Sequence, residues 1–318
     1  MKIEPYVVAG RKVWNRIGDG LLAAGLFVAC LFVYLQTLAP SVATLFDDSL
    51  EFPLVAYQLG IAHPTGYPLY MLLGKLFTLG PWPNVAWAVN LLSALAAALT
   101  VALVYLVGRQ LMWRRDGPTD RRLPALLGAV ALAASPVFWS QSIIAEVYTL
   151  NSAFFVVLLW LVLRWARQPL LPVTPFSLLL AAPKERPARF LPGEGAWARV
   201  PLAVRRAVYR VYSGYRRFFP AVSPARRLQP HRILLVLAAS FSLSLTHHRL
   251  MILLAPALLV YMLLVERRVF SRAALLGPEH PDLPLWRQSP GRPVILLAVC
   301  LGAPLLLYLY LPLRGHVG

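Results

Sequence analysis

Seven runs of mostly apolar residues, at 21–38, 86–108, 123–140, 149–166, 233–247, 250–265 and 294–312, constrain this chain more than any other feature. A helix crosses the hydrocarbon core of a bilayer with roughly 20 such residues. In lipid each backbone N–H and C=O must find its partner within the segment, so runs of this kind become helices rather than loops or open sheets. The expected fold is an all-α membrane protein, a polytopic helical bundle of seven transmembrane helices with short interfacial helices in the first outer loop. The fifth and sixth runs are short and share the polar dent Thr246-His247-His248-Arg249, so a re-entrant pair is the alternative there. At 58% apolar and 14% charged residues, with a mean hydropathy of +0.63, the 318-residue chain does not read as ordinary soluble domains. The first run is longer than the apolar core of a secretory leader and is read as an anchor, although Ser41-Val42-Ala43 has the look of a cleavage site. Cys30 and Cys300 lie inside apolar runs and show neither metal-ligand spacing nor a disulfide pattern.

Charge orients the bundle. With the N-terminus inside, segments 1–20, 109–122, 164–232 and 266–292 hold 28 of the 31 Lys and Arg residues, leaving only Lys75, Arg249 and Arg314 outside. The excess of cations on cytoplasmic loops then accounts for the net charge of +18. The expected organisation is a cytoplasmic segment 1–20, helices one to four over 21–166 with the first outer loop at 39–85, a basic cytoplasmic insert at 167–231, and helices five to seven over 232–318 ending outside. Within the insert, Val200, Val204, Val208 and Tyr212 recur at helical spacing, with Arg205, Arg206, Arg210, Arg216 and Arg217 between and after them. Such a helix would lie on anionic lipids of the inner leaflet; a solvated basic loop is the equal alternative. No nucleic-acid partner is expected, because no recognisable binding module accompanies the charge.

The outer face carries the chemistry. In the first loop Pro53 cannot donate an interior helical hydrogen bond, so a short helix is expected to start near it and run to Gly60. Asp47, Asp48 and Glu51 would then gather at its positive end, where carboxylates are favoured. Asp48 and Glu51 also have the spacing of a capping box, which is the purely structural alternative. His63-Pro64-Thr65-Gly66 suits a type I turn, and Tyr67-Pro68 opens a second amphipathic stretch, Leu69 to Leu79, expected along the outer interface. The second outer loop has one charge, Glu146, in AEVYTLN. A carboxylate that close to an apolar span needs a partner, Arg249 being one choice, or a wet cavity. His247, His248 and Arg249 supply a basic triplet from the third loop, and Arg314 adds a cation after the last run. Carboxylates facing cations suit transfer of a group that leaves as a phosphate ester. One carboxylate takes a proton from an acceptor hydroxyl, and Arg or His neutralises the departing anion.

The strings FDDSLEF at 46–52, LGIAHPTGYPLYMLLGKLF at 59–77, NVAWAVNLLSAL at 84–95 and FWSQSIIAEVYTLN at 138–151, with the weaker SLTHHRLMILLAP at 244–256 and YLYLPLR at 308–314, resemble those of a known family. It is the integral-membrane glycosyltransferases of the GT-C fold, in particular the protein O-mannosyltransferase group formerly catalogued as a domain of unknown function. The first-loop pattern there is Asp-Ser-Gly-Glu followed by His-Pro-Pro-Gly-Tyr-Pro; here Leu50 replaces the glycine and Thr65 the second proline.

The resemblance implies Asp48 as catalytic acid-base residue with Glu51 as its companion. Asp47, His63, Tyr67, Glu146, Tyr148, His247, His248, Arg249 and Arg314, all expected at the outer face, are the candidates for substrate binding. The resemblance also implies a polyprenyl-phosphate sugar as donor, a protein or glycan acceptor outside the cytoplasm, and no cofactor or metal. An activity sensitive to chelation would instead make Asp47, Asp48 and His63 ligands. The expected setting is a bacterial plasma membrane. Two other classes of function compete: a carrier or flippase for a lipid-linked or anionic solute, and a non-catalytic assembly partner.

Overall fold

The computed structural model describes residues 4–44, 47–112, 122–166, 232–266 and 292–316. The basic insert and its expected inner-leaflet helix lie outside the described residues. Every regular element among those described is helical: α1 Glu4–Gln36, α2 Asp47–Gln58, α3 Pro68–Thr78, α4 Val85–Leu111, α5 Arg122–Ala133, α6 Pro136–Ser142, α7 Tyr148–Ala166, α8 Arg232–His247, a 3-10 helix Arg249–Leu253, α9 Leu254–Glu266, α10 Arg292–Gly302, a second 3-10 helix Ala303–Leu309, and α11 Tyr310–Gly315.

Four segments are long and apolar enough to cross a membrane: Ile17–Gln36, Val85–Leu111, Tyr148–Ala166 and Ile295–Gly315. The pair α5 and α6 makes a fifth if it counts as one span, broken by 64°. The break falls where Pro136 removes an N–H and steers Ser135 into an extended conformation, at φ −61° and ψ 124°. The fifth and sixth expected spans form shorter apolar helices, Ile233–His247 and Arg249–Val265, so the described structure accounts for four or five of the seven expected crossings.

Helix α4 is the hub and packs against α1, α5 and α7. Its Ala94, Ala97 and Ala98 are fully buried, and such small residues let neighbouring helices approach closely where no water drives them together. Asn84 caps its start, accepting the Trp87 N–H at 2.8 Å, while its amide donates to the Pro40 carbonyl at 2.8 Å. Asn90, six residues further on, donates to the Ala39 and Ser41 carbonyls at 2.9 and 3.1 Å and fixes the chain leaving α1. At the other end of α4, Asp19 Oδ1 of α1 accepts from Tyr105 Oη (3.2 Å), Arg109 Nε (3.1 Å) and Arg122 Nε of α5 (2.9 Å). The first-loop helices α2 and α3 sit at the Asn84 end, away from this junction.

Helix α2 begins at Asp47, six residues before the expected start, and carries Pro53 inside it. An interior proline costs about 3 kcal/mol, and burial of Phe52 and Ala56, both fully inside the bundle, offsets it. The helix ends with the paired bonds Gly60 N–H to Val55 O (2.8 Å) and Leu59 N–H to Ala56 O (3.2 Å), Leu59 taking the left-handed conformation at φ 54°. Helix α3 starts at Pro68 as expected, yet it is no surface helix. Tyr70 and Met71 are fully buried, and a Cβ on Gly74 would come within 2.7 Å of the Ala56 Cβ, so glycine is what lets α2 and α3 touch.

Candidate functional site

The turn between α2 and α3 folds His63 back over the start of α2. Gly66 N–H closes the four-residue turn on the His63 carbonyl at 2.8 Å. Glu51 grips His63 with both oxygens: Oε1 accepts the backbone N–H at 2.8 Å and Oε2 meets ring Nδ1 at 2.5 Å. That pairing replaces the capping box, since Glu51 turns towards the turn and not towards the helix start. It also fixes the ring, because a carboxylate accepts and Nδ1 must therefore carry the proton. The imidazole stacks on Phe52, with centroids 5.5 Å apart and planes at 21°. Its Nε2 then faces Asp48 Oδ1 at 3.8 Å and Tyr67 Oη at 3.4 Å. Tyr67 holds a left-handed backbone (φ 43°, ψ 54°) just before Pro68, which brings its ring edge-on to both Phe52 and His63.

Glu146 reaches the same place from the loop between α6 and α7. Its backbone is locked to Ser93 of α4 by two bonds of 3.2 Å, one in each direction. The residue is 3% exposed and its Oε2 has no hydrogen-bond partner. Burial first, and then the Asp48 carboxylate beside it, push Glu146 from an ordinary 4.5 up to about 7. Tyr67 and Tyr70 are raised as well, chiefly by burial. Asp48, Glu51, His63, Tyr67 and Glu146 thus converge from three separate segments. Asp47 is exposed at the first position of α2, and Tyr148 is half exposed at the start of α7. Leu50 stands in a regular helical turn with its side chain 44% exposed, so this position does not require the family's glycine.

The later cations divide. His247 is fully buried behind Tyr70 (5.8 Å between centroids), its Nε2–H donating to the Val147 carbonyl at 2.9 Å and its Nδ1 left without a partner. His248 approaches the Tyr67 ring at 6.0 Å, and burial holds it below the usual histidine range. Arg249 is exposed and lies over the Tyr308 ring at 5.6 Å. Arg314 donates from Nε to the Leu59 carbonyl at 2.5 Å and from Nη2 to the Gln58 carbonyl at 3.0 Å, at the far end of α2 from its carboxylates. Among the described residues neither guanidinium forms an ion pair with Asp48, Glu51 or Glu146, so the expected meeting of first-loop carboxylates with both arginines is not what the side chains make. No group of three or more His, Cys, Asp or Glu among the described residues is arranged as a metal site.

Residues that the sequence did not single out complete the frame. Tyr310 Oη donates to the Gly60 carbonyl at 2.5 Å, and Leu311 lies 2.7 Å from where a Cβ on Gly66 (φ 84°) would sit. Ser93, Tyr70 and Asn90 are polar side chains inside helices that pack as core, and a polar residue in an apolar run was the one signal available for Asn90 and Ser93.

Helices of membrane-spanning length, with carboxylates and a histidine gathered at one end, mark an integral membrane protein whose candidate site is built largely from the segment between α1 and α4. Residues 48–181 match the family described as Protein O-mannosyl-transferase TMEM260 N-terminal domain. The chain is 32% identical over 145 residues to Protein O-mannosyl-transferase tmem260 of Dictyostelium discoideum and 35% identical over 158 residues to Protein O-mannosyl-transferase TMEM260 of Mus musculus. Those alignments take in 45% and 49% of this chain but only 17% and 21% of the relatives, so the chain spans about a fifth of the length of the proteins it matches. The matched part is similar to an O-mannosyltransferase-like family, and it contains the acidic cluster. No solved structure matches the chain.

Proposed function

We propose that the chain acts as a membrane glycosyltransferase of the GT-C type, with seven crossings and the acidic cluster facing away from the cytoplasm. It transfers a sugar, mannose being the one its relatives are named for, from a polyprenyl-phosphate carrier to a hydroxyl on a protein or glycan acceptor. The observation that carries this reading is the convergence of Asp48, Glu51, His63 and Glu146 within the segment matching the O-mannosyltransferase family.

Asp48 takes the acceptor O–H proton while that oxygen bonds to the sugar carbon. The carbon–oxygen bond to the carrier breaks on the opposite face, with inversion, and its electron pair leaves on the phosphate. Glu51 holds His63, which lines the approach to Asp48. Arg249, exposed beside His248, is positioned to meet the carrier phosphate.

The test is transfer from polyprenyl-phosphate mannose to a hydroxyl acceptor in membranes containing the full chain. Asp48→Asn should lower the rate roughly 100-fold or more. Undiminished turnover removes Asp48 from this role. The reaction should proceed in EDTA, and inhibition by chelation would reassign Asp47, Asp48 and His63 as metal ligands.

A further inference from the structure

We propose that Glu146 is a positioning residue for Asp48: its carboxyl keeps a proton and donates it in a hydrogen bond to the Asp48 carboxylate, holding that base as a single aimed anion. The inference rests on the reading of Asp48 as the base.

The geometry leaves Glu146 little choice. It is 3% exposed, between Ala145 and Val147 at 0% and 1%. Ser93 pins its backbone from both sides at 3.2 Å, which fixes the Cα from which the buried side chain projects. The titratable groups near it come from the neighbouring segments: Asp48 of α2, His63 in the turn, Tyr67 just before α3, Tyr70 in α3, and His247 at the end of α8, which bonds the adjacent Val147 carbonyl. None is a strong cation. Arg249 is on the Tyr308 ring and Arg314 on the end of α2, so among the described residues Glu146 has no ion-pair partner.

Two adjacent carboxyls in such a place cannot both ionise at low cost, and the more buried one keeps the proton. Asp48 has a side chain 24% exposed where Glu146 is 3% exposed, so it is the member that carries the charge. Burial and the Asp48 charge together raise Glu146, in agreement with this division. In the reaction the acceptor proton goes to the outward oxygen of Asp48. The proton of Glu146 stays on Glu146 throughout.

Infrared difference spectroscopy on the full chain in detergent, without substrate, tests this directly. At about pH 6 the parent should show a protonated-carboxyl C=O band that Glu146→Gln removes, and its loss on raising pH should centre near 7. In Asp48→Asn the midpoint should fall by roughly one pH unit. In transfer assays the parent rate should decline as Glu146 ionises, Glu146→Gln should lose that decline, and Glu146→Ala should run ~10-fold below Glu146→Gln. A Glu146→Gln spectrum identical to the parent at about pH 6 overturns the proposal. If that variant does not fold, an unmoved midpoint in Asp48→Asn does so instead. Transfer at the parent rate by Asp48→Asn overturns the catalytic reading and the role of Glu146 with it. An inactive Asp48→Asn, together with a parent in which Glu146 is already ionised at about pH 6, overturns the Glu146 assignment alone.

Discussion

Replacing Arg314 by Ala should loosen the segment between α2 and α3 without touching any carboxylate. The guanidinium fills the last carbonyls of α2, at 2.5 Å from Leu59 O and 3.0 Å from Gln58 O, where the helix dipole also favours a cation. A hydrogen bond from a charged group contributes about 1.5–3 kcal/mol net. The Nη2 bond is solvent exposed and adds little, so one such bond, ~2 kcal/mol, is the expected loss. That is a shift of ~30-fold between closed and open loop. Ala62 reports the opening, being 4% exposed inside the same loop. In a full chain with Cys30 and Cys300 replaced by Ala and carrying Ala62→Cys, labelling by a water-soluble maleimide should accelerate on Arg314→Ala by about that factor. Arg314→Lys, which keeps the charge without the fork, should fall between. Equal labelling rates in the Arg314→Ala chain and its parent would refute the claim that this residue holds the loop shut.

Glu51→Ala should free both the ring and the backbone N–H of His63, costing about 1–2 kcal/mol given that both side chains are a third exposed; a thermal midpoint unchanged from the parent would count against the clamp. Gly74→Val should destabilise by about 1–3 kcal/mol, because the added carbons meet Ala56 at the α2–α3 contact, and thermal melting measures it. The folded state binds the Glu146 proton more tightly than the unfolded chain does. Its stabilisation is therefore full below pH 4.5 and is lost as pH rises to about 7, and melting curves of parent minus Glu146→Gln should show that slope and sign.

Much of the bundle could be read in advance because its strongest signals are local. The apolar run 86–108 places α4 within a few residues of its bounds, and Tyr67-Pro68 places the start of α3. Pro53 misled for the opposite reason: a local rule about proline was outweighed by the burial of Phe52 and Ala56, which depends on α3 and α4. Pro136 carried its signal in the sequence, and the bend it causes separates α5 from α6. At the site, Asp48, Glu51 and His63 lie within 16 positions of one another, and a carboxylate beside an apolar span marked Glu146. The arginines were harder to place because charge does not select its partner. Arg314 took carbonyl oxygens and Arg249 an aromatic face, both supplied by tertiary packing alone. Tyr310, meeting Gly60 across 250 positions, had no local signal at all.

The three-way grip of Asp19 on Tyr105, Arg109 and Arg122 has a mechanical consequence for any guest as bulky as a polyprenyl chain. Like the rivet of a pair of shears, it pins α1, α4 and α5 together at the handle end. Any parting of these three rods is then confined to the blades, the end where α2, α3 and the 63–66 turn sit.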